Sequence, residues 1–150
     1  MLCLALFLIA RSPRPKHFDI RSETRRFLDA YAANQQSEVL AEVTDSSVVY
    51  GSDASEVYRG KAAIRTMMDN DARLWSGTAH IGAMDQVSIV AGGQIESIVF
   101  QAPFSALGRT PAPVRFCMVW RRRRGQWFLV QSSNVVPTIG QNAVQLLHGR

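Results

Sequence analysis

The spacing of apolar positions changes period along the chain, and each change marks an element. From Asp19 onward, Ile20, Phe27, Leu28 and Tyr31 recur on one side, opposite Arg21, Arg25 and Asp29. That three- and four-residue spacing predicts an amphipathic helix. Ser37 is suited to N-capping and Leu40 and Val43 to facing inward, which predicts a short second helix over 37–43. The β-branched run "SSVVY" (46–50) predicts a short strand. Helical spacing returns between Gly60 and Trp75, where Ala63, Ile64, Met67, Met68 and Leu74 are apolar. The rest reads as strand, over 79–91, 94–107, 114–122 and 126–136. Gly92-Gly93, "GRTPAP" and Arg124-Gly125 supply the turns.

Helices first and long adjacent strands after predict an α+β domain over 19–137, with three N-terminal helices packed on a curved, mostly antiparallel sheet. Strands this long must coil, and helices laid across a curled sheet leave a cone-shaped roll with a central pocket. In front of the domain, residues 1–18 join the apolar run "MLCLALFLIA" to a wet, proline-broken linker, "RSPRPK". The apolar run has no basic residue before it and a poor cleavage site, and it falls well short of the roughly 20 residues that span a bilayer. It is therefore expected to be an extension packed on the domain or on a partner subunit, in a cytoplasmic protein without a membrane span. Export on a weak signal is the alternative. Residues 138–150 are expected to be a tail.

Composition narrows the picture a little. A chain of 150 residues, 47% hydrophobic and 19% charged, has an ordinary globular balance and is long enough for a single self-sufficient core. The net charge of +5 comes mainly from Arg11–Lys16 and the run Arg121–Arg124, which reads as a solvated hairpin end. No aromatics interleave it, so no nucleic-acid partner is expected. Cys3 and Cys117 lie in apolar runs and read as buried thiols. The histidines, His17, His80 and His148, are far apart, so neither a metal site nor a cofactor is expected.

The order and local chemistry of these segments carry a resemblance. "SSVVYGSDASEVYRGKAAIRTMM", "FLDAYAANQQSEVLAEV" and the terminal "RRRRGQWFLVQSSNVVP" together resemble the SnoaL-like branch of the nuclear-transport-factor-two-like superfamily. That is the α+β cone of ketosteroid isomerases and limonene epoxide hydrolase, and the resemblance covers about residues 19–137. It implies pairing through the sheet, an expectation also favoured by apolar strand surface at Val119, Phe128 and Val130. Its chemistry transfers poorly. Register counted back from Gly60 puts Phe27 where an isomerase needs its donor tyrosine and Gly51 near its base. Tyr31 and Asp53 are the nearest replacements. The epoxide-hydrolase arrangement of two acids and an arginine finds candidates in Asp53, Arg115 and Asp85. Where many relatives carry histidines in the last strand, this chain has Gln131 and Ser133.

The residues themselves suggest a lining for the pocket. Tyr31, Tyr50 and Trp75 would supply rings, or else pack as ordinary core. Gln101, Arg115, Gln131 and Ser133 would supply polar contacts from the sheet, the last two on one face with Trp127 and Leu129. Asp53, at the expected rim, is the candidate to bind, to pair with Arg115 or to act as a catalytic base, whereas Glu56 is expected to stay in the turn. The expected function is binding of a small apolar or aromatic molecule. A homodimeric association module without catalysis and an isomerase- or epoxide-hydrolase-like enzyme are the alternatives.

Overall fold

A computed structural model describes residues 19–137, so the expectations for 1–18 and 138–150 lie outside the described residues. The elements run α1 (Ile20–Ala32), α2 (Gln36–Ala41), β1 (Val43–Tyr50), β2 (Val57–Arg59), α3 (Gly60–Trp75), β3 (His80–Ile81), β4 (Asp85–Gly92), β5 (Ile95–Ser105), β6 (Ala112–Arg123) and β7 (Gln126–Val135). The strands form one sheet in the order β2-β1-β7-β6-β5-β3, with β4 also paired to β5. All pairings are antiparallel except β1 with β7. Three helices on a mostly antiparallel sheet is the expected α+β architecture.

Each helix is held by its inward stripe. Asp19 caps α1 by accepting from the Arg21 amide at 3.1 Å and the Ser22 hydroxyl at 2.5 Å. The buried side of α1 then presents Thr24, Phe27 and Leu28 to the sheet. Trp120, fully buried on β6, donates its indole N–H to Thr24 Oγ1 at 3.1 Å and meets the Phe27 ring edge-on at 5.5 Å. α3 starts on Gly60, which is buried with φ +81°, a conformation costly to any residue with a Cβ. A Cβ there would also stand 3.1 Å from the Asp45 carbonyl oxygen.

Ser37 lies inside α2 instead of capping it, and β2 is a strand that the spacing does not predict, while three further departures have physical causes. The second helix stops at Ala41, and Val43 already belongs to β1, because the Glu42 carbonyl accepts from the Leu129 amide at 2.8 Å and draws the chain into the sheet. The single strand expected over 79–91 is two, β3 and β4. Between them, the Gly82 amide bonds the Pro103 carbonyl at 2.8 Å and Arg25 Nη1 bonds the Gly82 carbonyl at 2.7 Å.

The third departure is an irregularity shared by β1 and β7. Trp120 pairs with Leu129 but Val119 pairs with Gln131, so Val130 is an extra residue in β7. On the other side, Val43 pairs with Leu129 and Val48 with Gln131, so β1 bulges as well. A bulge leaves ladder groups unpaired and changes the phase of the strand. The fully buried Ser47 fills this gap, accepting from the Thr44 amide at 2.8 Å and donating to the Leu129 carbonyl at 2.6 Å. Ser47→Ala removes both bonds in a dry site and is expected to lower unfolding free energy by about 1–3 kcal/mol. Urea denaturation checks this, and an unchanged midpoint would mean that the bulge is satisfied without the hydroxyl.

Candidate functional site

Between the helices and the sheet lies a cavity of about 290 Å³. α1 contributes Phe27, Leu28 and Tyr31, and α3 contributes Ile64, Met67, Asp71 and Trp75. The sheet supplies Val49, Phe104, Val114, Phe116, Met118 and Leu129, and the half of β7 beyond the bulge adds Ser132 and Asn134. Leu74 and Val136, both well exposed, lie on the solvent side of this lining. The loop between β1 and β2 adds Gly51, Ser52 and Glu56, and β2 adds Tyr58.

Polar groups gather on one side of this apolar space. The Tyr31 hydroxyl donates to Asp71 Oδ2. Burial, with the negative charges of Asp71 and Glu56, pushes the Tyr31 phenol well above its ordinary range, so it keeps its proton at neutral pH. Burial also raises the Asp71 carboxyl, and the Glu56 charge adds to that, while the bond from Tyr31 opposes it. Tyr58 is raised in turn by burial and by the charges of Glu56 and Asp71. Two carboxylates and two phenols therefore feel one another around the cavity.

Of the residues singled out from sequence, Tyr31 and Trp75 line the cavity, with ring centroids 5.5 Å apart and edge-on. The other six lie off it. Tyr50 alternates with the inward Val49 and so faces the other side of β1. Gln101 and Arg115 pair across β5 and β6 on the outer face, and Asp85 pairs with Gln101 beside them. Gln131 and Ser133 do not share a face with Leu129, because the extra residue at Val130 reverses the alternation and turns Ser132 and Asn134 inward instead.

Asp53 is fully exposed, and its Oδ1 accepts from the Ser55 amide at 2.8 Å and hydroxyl at 2.6 Å, which lowers its pKa. It shapes the turn, while Glu56 lines the cavity. Glu56 Oε2 accepts from the Asp53 amide at 3.0 Å, and the side chain packs against Gly51, where an added Cβ would stand 2.6 Å from Glu56 Cβ. Position 51, near which the resemblance implies a catalytic base, is thus a space filled by the carboxylate of residue 56. Among the described residues no cluster of three metal-ligating side chains forms.

Signals for the missed residues were uneven. Asp71 falls on the inward stripe of α3, seven residues after Ile64 and four after Met67. An acid on an apolar stripe could have been noticed. Ser132 and Asn134 require knowledge of the bulge, and Glu56 requires the path of the loop.

With the cavity described, comparison with known proteins decides the family. A model of the SnoaL-like domain matches residues 20–138. The chain belongs to the SnoaL-like family. No curated protein matches the sequence. Solved structures share the fold at low identity. An NTF2-like protein of unknown function from Pseudomonas putida KT2440 is 16% identical, over 81% of this chain and 89% of that one, with a TM-score of 0.65. A protein of unknown function with a cystatin-like fold from Nostoc punctiforme is 12% identical, over 80% and 90%, with a TM-score of 0.68. One from Parabacteroides distasonis, provisionally described as a ketosteroid isomerase, is 13% identical, over 85% and 95%, with a TM-score of 0.66.

The raised carboxyl of Asp71 has a consequence for stability. A carboxyl whose folded pKa exceeds its unfolded value adds stability below the unfolded pKa and loses it as pH rises through the folded one. Asp71 should thus weigh against the fold at neutral pH more than at acid pH. Asp71→Asn is expected to gain stability over the parent chain as pH rises from about 4 to about 7, followed by urea denaturation at each pH. A difference that shrinks as pH rises would contradict the assignment.

Proposed function

We propose that this SnoaL-like protein binds a small, largely apolar or aromatic molecule in its central cavity, and does so as a homodimer paired through the outer face of the sheet. The observation that carries the first part is the cavity itself, lined by aromatic and aliphatic side chains with a few convergent polar groups, which is the common form of a ligand site. Its size limits the guest. A cavity of about 150 Å³ takes benzene, so about 290 Å³ suits one or two rings and is cramped for the four fused rings of a steroid.

A thermal-shift screen of steroids, terpene epoxides and one- and two-ring aromatics tests this. One- and two-ring compounds are expected to raise the melting temperature and steroids to leave it unchanged. Met67→Trp, which fills the cavity from α3, should abolish every shift. Shifts that persist in that variant would place binding elsewhere, and the absence of any shift would remove the proposal.

Support for the dimer comes from the outer sheet face. Val90, Ile95 and Val99 are 67%, 52% and 43% exposed there, on the neighbouring strands β4 and β5. Such contiguous apolar surface is uncommon on a monomer. Light scattering at micromolar concentration is expected to give twice the chain mass, and Val99→Arg to give the single mass. A monomeric parent chain would rule out the pairing.

A further inference from the structure

Resting on the ligand-binding reading above, the chemistry of the cavity narrows the class of ligand. Its hydrogen-bonding side carries two carboxylates and no cationic side chain among the described residues. The Tyr31 proton is already committed to Asp71, so the pair offers the cavity only lone pairs. Glu56 adds a second carboxylate, which when ionised can only accept. Ser52, Tyr58, Ser132 and Asn134 can act either way. Although the chain carries a net charge of +5, no Lys, Arg or His is among the described residues that line the cavity. The carboxylates face the space without a cationic partner in it.

The walls near these acids are aromatic. Trp75 lies edge-on to Tyr31 at 5.5 Å and tilted to Phe104 at 5.2 Å, and Tyr58 joins them in the lining. Aromatic faces attract cations, most strongly where water is excluded. Other guests fit less well. A ketone would find only neutral donors, with the Tyr31 hydroxyl already spent on Asp71, and would leave both carboxylates uncompensated. A carboxylate ligand would meet two like charges. Burial is the main cause that raises Asp71 and Tyr31, and a cation would offset the Glu56 charge that adds to it.

We propose that the cavity takes a protonated amine carried on a one- or two-ring apolar body, with the ammonium held by Asp71 and Glu56 and flanked by the rings of Tyr31, Tyr58 and Trp75. The rings of the guest then occupy the apolar space toward Phe104, Phe116 and Met118.

Calorimetric titration of the full chain with tryptamine, its neutral isostere tryptophol and the anion indole-3-acetate tests this at about pH 7, where the amine is fully protonated. Tryptamine is expected to bind roughly tenfold or more tightly than tryptophol, as a charge-assisted bond predicts, and indole-3-acetate weakest of the three. Glu56→Gln and Asp71→Asn should each weaken tryptamine without weakening tryptophol. Glu56 lies in a loop, so its variant keeps the test decisive if Asp71→Asn folds poorly. Tryptophol binding as tightly as tryptamine, with both lost in Met67→Trp, would overturn the ammonium assignment while the cavity reading stands. Binding by none of the three, or binding that survives Met67→Trp, would overturn both.

Discussion

Ser47 stands where two neighbouring strands fall out of step, and the inner surface of the cone depends on how that step is closed. β1 and β7 run parallel, and each carries irregular residues between the pairs at Leu129 and at Gln131. Without a donor and an acceptor at the gap, buried main-chain groups would lack partners, at a cost comparable to a lost hydrogen bond each. One hydroxyl serves both Thr44 and Leu129. Before the bulge β7 points Trp127 and Leu129 into the core, and beyond it Ser132 and Asn134 point in. The bulge thereby converts the inner face of one strand from apolar packing to polar lining within three residues.

The acids in the cavity are costly to keep there. Burial disfavours the charged form of Asp71, and the bond from Tyr31 recovers only part of that, so the carboxyl stays above its ordinary range. A fold selected for stability alone would place an apolar residue on that stripe of α3, between Met67 and Leu74. Buried groups with perturbed ionisation in a cavity are the usual mark of a working site, although structural networks also produce them. Here the network ends in the cavity, and among the described lining residues no cation closes it.

Most of the fold was legible in the sequence because period is a local signal. The limits of α3 and the three long C-terminal strands follow from spacing and from glycine and proline turns. What escaped were features set by tertiary contacts: the break at Gly82, the early end of α2 and the bulge at Val130. The site suffered more, since a single extra residue inverts every side chain after it. Gln131 and Ser133 share a face with each other but, against expectation, not with Leu129, because that relation depends on a partner strand more than eighty positions away in sequence. Tyr31 and Trp75 were accessible because helical spacing places them without reference to the sheet. Asp71 was equally accessible on that logic.

The loop 51–59 shows why two acids three residues apart have different roles. Asp53 has a short side chain, and Ser55 offers its carboxylate two donors at once, so the turn itself captures it. Glu56 is one methylene longer and follows that turn, where its chain folds back across Gly51. Any side chain at 51 would occupy that path, so the glycine is what admits the carboxylate to the cavity. Glu56 Oε2 also accepts from the Asp53 amide, which locks the returning side chain to the turn that aimed it. The exposed acid therefore builds the support, and the second acid uses it to present charge inside. Composition alone could not separate the two, because the distinction lies in side-chain reach and in an absent Cβ.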